Sequence, residues 1–233
     1  MKIYKTFAHL ARFVYRLFIH YNVEGSIPSD GPCVFVVHHQ NLSGPVHALL
    51  TLPIHARLWV YKVFLDRKEC YKQYRDFTFT KRFGMPEIIA IPLAWFVALF
   101  VPAILRSFSA IPVYRSSRDI IKTFSISHDA LLRGESLIVA PDVDYGNSSS
   151  LMGEMYTGFL HLEKTYFKET KKHLSFIPMA YNATEKKLVL ADSICFDDTP
   201  YSEQKDVIAE RIKKSINSIK EHENIHKEKE IVA

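Results

Sequence analysis

A chain of 233 residues that is 48% hydrophobic, 24% charged and 13% aromatic has the composition of a globular protein with enough apolar material to bury a full core. A mean hydropathy of −0.04 excludes both a disordered tail and a many-span transporter. Basic residues outnumber acidic ones 30 to 25, and the excess begins at the N-terminus, where Lys2, Lys5, Arg12 and Arg16 all precede the first acid, Glu24. Three cysteines (Cys33, Cys70, Cys195) with no Cys-x-x-Cys pair make no disulfide framework and fit a reducing compartment. No period of repeats is present.

Residues 2–21 set Lys2, Lys5, His9, Arg12, Arg16 and His20 against Ile3, Phe7, Leu10, Val14, Phe18 and Tyr21 at steps of three and four, which predicts a basic amphipathic helix. Such a helix lies in an anionic bilayer interface or packs on its own domain. Arg12 and Arg16 interrupt the stretch, so no secretory signal is expected and the segment is read as retained. After the turn at 28–32, the β-branched run 33–37 predicts a strand buried on both faces, with His38 and His39 at its carboxyl end. Pro45 opens a helix over 46–52, and 57–65 returns to strand. Residues 66–87 interleave Arg67, Lys68, Lys72, Arg75, Lys81 and Arg82 with aromatic rings, a mixture suited to phosphates.

The stretch 88–105 is uncharged and, as a helix, about 27 Å long. Pro92 and Pro102 predict a broken or re-entrant segment at a membrane interface or acyl-chain channel, with a buried core helix as the alternative. A strand over 110–114, a helix over 117–133 stopped at Gly134, a strand over 137–140 and a helix over 151–167 follow. Strands at 176–180 and 188–190 precede a last helix, opened by Thr199 and Pro200, with Ile208, Ile212, Ile216 and Ile219 in one stripe; residues 221–230 read as a solvated charged tail. The alternation predicts an α/β fold, in which ligands gather beyond the carboxyl ends of strands. Three divisions are expected: 1–22 as a membrane-association helix, 23–200 as the α/β domain, and 201–233 as a C-terminal helix and tail.

Three polar clusters fall at strand ends: His38-His39-Gln40-Asn41, Tyr114-Arg115, and Asp142 with Asp144. Together they suit general-base activation of a hydroxyl by a histidine, with an arginine holding an anionic group. A metal site built from His38, His39 and His47 with Asp142 or Asp144 matches no familiar ligand spacing, and no metal is expected. No recognition helix or RNP-like pattern supports nucleic-acid binding by the basic stretch, so no nucleic-acid partner is expected. Cys33 lies inside an apolar run and reads as a buried strand residue.

The segment Val36-Val37-His38-His39-Gln40-Asn41-Leu42-Ser43-Gly44-Pro45 resembles the first block of the glycerophospholipid acyltransferases of the lysophosphatidic acid acyltransferase type, in which an Asn-His pair is followed by an aspartate and a proline. Gly25–Pro32 looks like that family's lead-in, Trp59-Val60-Tyr61-Lys62 its next strand, Ala110–Arg115 its second block, and Ala140-Pro141-Asp142-Val143 stands in the place of Phe-Pro-Glu-Gly. Gly158 and Pro178 match its later glycine and proline, so the likeness runs over residues 23–195. It implies a mixed, mostly parallel sheet flanked by helices. It also implies an acyltransferase of phospholipid biosynthesis, moving an acyl chain from acyl-CoA or acyl carrier protein to a lysophospholipid or glycerolipid hydroxyl.

By that resemblance His39 is the general base and Arg115 the anion anchor. Asp142 positions base or acceptor, and Lys62, His38, Asn41 and Asp144 assist binding. No bound cofactor is implied, and the expected location is the cytoplasmic side of a membrane, peripheral or monotopic. The sequence departs from the pattern at Gly44, where the orienting aspartate belongs, and at Val143, where a glycine belongs. The alternative reading is a catalytically silent lipid- or carrier-binding protein on the same scaffold.

Overall fold

The structure is a computed structural model that describes residues 10–15, 17, 19, 21–116, 118–144, 149–182 and 185–232, without the side chains of Asn41 and 222–232. Seven strands occur in chain order: β1 (Asn22–Glu24), β2 (Cys33–Val37), β3 (Ala56–Tyr61), β4 (Ile111–Val113), β5 (Ser136–Val139), β6 (Ser175–Asn182) and β7 (Lys187–Leu190). The described helices are α1 (Ser43–Thr51), α2 (Arg67–Gln73), α3 (Glu87–Ser107), α4 (Ile120–Leu132), α5 (His161–Thr170) and α6 (Tyr201–Val232). Two compact units form, one from residues 58–123 with Leu10 and Ala11, the other from 12–57 and 124–233.

The larger unit is built on strands in the order β1-β7-β6-β2-β5. All junctions are parallel except β6 with β7, so the fold is α/β with a mixed, mostly parallel sheet, as expected. β2 is paired on both edges and buried along its whole length, which is why its five residues, Cys-Val-Phe-Val-Val, are apolar without alternation. In α6 the four-residue spacing buries Ile208, Ile212 and Ile216 against the sheet, with Ile219 half-buried. The helix continues through the residues read as a charged tail. β1 was not expected; at three residues, Asn-Val-Glu, it is too short for periodicity to show.

A second difference follows β5. The helix expected from 151 begins only with a 3-10 turn at Gly158–Leu160 leading into α5. Upstream, the backbone folds back on itself: Val143 N–H donates to Glu154 O (3.0 Å) and Tyr156 N–H to Pro141 O (2.8 Å). Those bonds commit 151–156 to an extended return, and the helical spacing of its apolar residues is overridden.

In the smaller unit β3 and β4 pair in parallel, with Tyr61 opposite Val113. Asp66 caps α2 by accepting the N–H groups of Lys68 and Glu69, both at 2.9 Å. The chain then widens into a π-helix over Tyr74–Arg82, where Thr80 donates to Arg75 O five residues back. The apolar stretch is neither broken nor re-entrant: α3 runs unbroken through Pro92 and Pro102. Each proline removes one N–H from the ladder, but Ala90 and Ala94 pack against Phe79 and its neighbours, and Ala98 is buried one turn further on.

Of the amphipathic helix expected over 2–21, residues 10–15 are helical, and most of the remainder lies outside the described residues. Arg12 turns toward the protein, donating to Leu49 O (3.2 and 3.0 Å) and Ile54 O (3.4 Å). Phe13, Val14 and Leu17 are exposed.

Ile212 is fully buried at the centre of the α6 stripe. Ile212→Ala is expected to destabilise the larger unit by about 2–5 kcal/mol, read as a lowered urea midpoint with an unchanged slope.

Candidate active site

Because β2 and β5 are parallel neighbours with Val36 opposite Val139, the residues that follow them leave the same sheet edge. His38 and Asp142 meet there, both only 2% exposed. One Asp142 carboxylate oxygen bonds His38 Nδ1 and the other accepts the backbone N–H of His39 at 2.8 Å. On its far side, His38 Nε2 stands 3.0 Å from the carbonyl oxygen of Ser149. Both ring nitrogens therefore face oxygen atoms, the carboxylate on one side and the carbonyl on the other. The Asp142 carboxylate, read from the sequence as positioning base or acceptor, meets the ring of His38 and the backbone of His39.

His39 is half-buried and caps a 3-10 turn, Gln40–Leu42; its Nδ1 accepts the Leu42 N–H at 3.3 Å. The neutral ring then carries its proton on Nε2. The turn itself is strained, with Gln40 at φ 42° and Leu42 at φ 84°, conformations rare for side chains larger than glycine. Gly44 explains the departure from the family pattern. A Cβ at that position would lie 1.9 Å from the carbonyl oxygen of His38. The first turn of α1 sits so close to the end of β2 that no side chain, an aspartate included, fits there.

Beside the dyad, Asp142, Val143, Asp144, Gly153 and Glu154 line a cleft of about 230 Å³. Asp144 is exposed at its rim, and Asn41 lies in the 3-10 turn with its side chain outside the described residues. Among the described residues no group of three or more His, Cys, Asp or Glu side chains is placed to hold a metal ion.

Lys62 and Arg115 belong to the smaller unit, where the register of β3 with β4 brings them to one edge. The Arg115 guanidinium lies 4.3 Å from the Tyr61 ring centroid, and Lys62 Nζ lies 5.9 Å from that of Tyr114. Lys122 approaches the same Tyr114 ring at 5.5 Å while paired with Asp119 at 2.7 Å. The Tyr114 turn is fixed by Thr123, whose hydroxyl accepts the Tyr114 N–H and donates to Pro112 O. Lys62 is also paired with Glu69 at 3.4 Å, so of the three cations around the two aromatic faces two already share their charge with carboxylates.

The sequence reading missed a half-buried cluster on α1 and the end of β6. His47 stacks on Tyr181 (3.8 Å between centroids) and bonds the Tyr15 hydroxyl, and Tyr181 in turn bonds the Tyr21 hydroxyl. Lys220, 3% exposed on α6, donates to the carbonyl of Tyr181. Burial pushes the Tyr15 hydroxyl up to about 12. Burial, then the Lys220 charge, holds the His47 imidazole below its ordinary value. The only sequence signal was the placement of His47 one helical turn past Gly44.

No family model and no curated protein matches the chain. Among solved structures, it is similar to the crystal structure of the 1-acyl-sn-glycerophosphate (LPA) acyltransferase PlsC from Thermotoga maritima, with a TM-score of 0.51 and 14% identity over 94% of this chain and 79% of that one. At that identity the likeness is one of fold.

Gly44→Ala is expected to destabilise the larger unit by about 1–3 kcal/mol or more, seen as a lowered thermal midpoint, and Gly44→Asp by no less. A lowered His47 pKa means the unfolded chain binds the proton first. Stability is therefore complete above the ordinary 6.5 and lost as pH falls through it toward the folded value. Urea midpoints taken above and below pH 6.5 are expected to show this loss in the wild type and a smaller one in His47→Phe.

Proposed function

We propose that the protein is an acyltransferase that moves an acyl group from an acyl-CoA or acyl carrier protein thioester to a hydroxyl of a lysophospholipid or glycerolipid at the cytoplasmic face of a membrane. The observation that carries the reading is the buried pairing of His38 with Asp142 at the carboxyl edge of the central strands. The fold likeness to an acyltransferase supports it.

In this reading the Asp142 carboxylate holds His38 through Nδ1–H and leaves Nε2 as the base. With the ring proton on Nδ1, Nε2 carries the lone pair, and an acceptor hydroxyl arriving where the Ser149 carbonyl now stands donates to it. As Nε2 takes the hydroxyl proton, the oxygen bonds the thioester carbonyl carbon. The tetrahedral intermediate then collapses, the C–S bond breaks, and the departing thiolate takes the proton back from the imidazolium. The sequence pattern favours His39 as base. The geometry favours His38, because the buried Asp142 carboxylate meets the His38 ring at Nδ1 while its other oxygen takes the backbone N–H of His39. Lys62 and Arg115 give the smaller unit a phosphate-binding group, matching a phosphorylated acceptor or the phosphates of CoA. The reading needs no bound cofactor and no nucleic acid.

The silent-scaffold alternative draws on one observation, that both His38 ring nitrogens are already engaged. Transfer from labelled acyl-CoA and acyl carrier protein to a panel of lysolipids separates the readings. His38→Gln and Asp142→Asn are each expected to lower turnover by about 10²–10⁴-fold, with His39→Gln much milder. Loss in His39→Gln alone returns the base to His39; no transfer by wild type, with lysolipid still bound, leaves a binding protein. Arg115→Ala is expected to raise the KM of a phosphorylated acceptor about tenfold or more while leaving an unphosphorylated one little changed.

A further inference from the structure

The smaller unit carries a helix whose polarity of packing is inverted. In α3 the residues turned inward are small: Ala90, Ala94, Ala98 and Pro102, a stripe at four-residue spacing. Ala90 and Ala94 lie among Phe79, Tyr71, Tyr74 and Met85. The large apolar side chains face outward, with Ile88 83%, Trp95 55% and Phe96 56% exposed. A helix that packs in a water-soluble core buries its largest side chains, so the exposed face of α3 must meet another apolar phase.

We propose that this face is seated in one leaflet of an anionic phospholipid bilayer, with α3 lying in the plane of the membrane and not across it. Three observations single out lipid. First, between Asp66 and Arg106 the chain carries seven lysines and arginines against four acids, a net positive charge beside the apolar face that matches anionic headgroups. Second, the Arg67 guanidinium lies 5.9 Å from the Trp95 ring, and an indole paired with a cation is suited to the boundary between hydrocarbon and headgroups. Third, Phe77 and Phe83 project from the neighbouring π-helix and its end, about half exposed, so the apolar surface continues beyond α3.

The in-plane orientation follows from the inward stripe. Ala90 to Pro102 spans most of the helix, and alongside it run α2 and the π-helix with Lys72, Arg75, Asp76 and Lys81. Were α3 to cross the bilayer, those charges would be carried into hydrocarbon with it. Lying flat, the helix sinks its outer face to about the depth of the headgroup boundary and leaves the charges in water. The proposal shares only the membrane surface with the acyl-transfer reading, and a lipid-binding measurement that involves no turnover tests it apart.

The test is flotation of the full-length protein with phosphatidylcholine vesicles, with and without phosphatidylglycerol. The combined variant Ile88→Ser, Trp95→Ser, Phe96→Ser is expected to lower vesicle partitioning by about tenfold or more, the exposed N-terminal residues leaving a residue of binding. Arg75→Glu with Lys81→Glu is expected to weaken binding to the anionic vesicles alone. Unchanged flotation of the apolar variant overturns the proposal, as does a wild-type dimer in vesicle-free solution that the same variant dissociates, since a second copy then covers the face. Orientation is read from cysteines placed at the exposed positions Pro86 and Ser109, just outside the two ends of α3, in a Cys195→Ser background. The native Cys33 and Cys70 are buried, and burial pushes both thiols up to about 11. A membrane-impermeant maleimide is expected to reach both ends of α3 from one side, and labelling of one end only overturns the in-plane arrangement.

Discussion

A single buried carboxylate ties together the ends of the central strands. Asp142 uses one oxygen on the His38 ring and the other on the His39 backbone N–H, across 104 and 103 positions of sequence. Breaking such an arrangement leaves polar groups stranded in a dry environment, which is far more damaging than the loss of one exposed hydrogen bond. The turn that follows depends on it. Gln40 and Leu42 hold left-handed conformations that persist only where the surroundings fix them, and α1 begins against the His38 carbonyl with room for nothing larger than glycine.

Much of this was legible from residues alone, and the boundary is instructive. The run at 33–37 announced a doubly covered strand because β-branched residues without alternation have few other uses, and the polar residues at its end marked the edge where chemistry gathers. The pairing of Asp142 with His38 was not legible. Adjacent side chains at a strand end point in different directions, and choosing between His38 and His39 requires the direction from which β5 delivers its carboxylate. Gly44 read as a lost aspartate; only the proximity of the His38 carbonyl shows why no side chain can stand there.

The smaller unit was harder to read for a different reason. Its apolar stretch was conspicuous, but the prolines suggested a break that the alanine stripe prevents. A π-helix has no simple residue pattern, so the basic and aromatic residues of 74–82 could be assigned a chemistry but not a shape. Arg115 was read at the end of a strand, whereas Lys62, read within a strand over 57–65, follows the end of β3 in a 3-10 turn. Their gathering around Tyr61 and Tyr114 depended on the register of β3 with β4.

The short strand β1 has a kinetic meaning. Its residues Asn22–Glu24 pair with Lys187–Val189, so the sheet edge near the start of the chain waits for a partner about 165 residues downstream. At ribosomal speeds of about 5–20 residues per second, that interval is roughly 10–30 s. Throughout it, the N-terminal stretch with its outward Phe13, Val14 and Leu17 is held by no strand of its own. A nascent chain of this design completes its sheet edge only after most of its residues have been made, and until then those outward apolar side chains are open to whatever surface they meet.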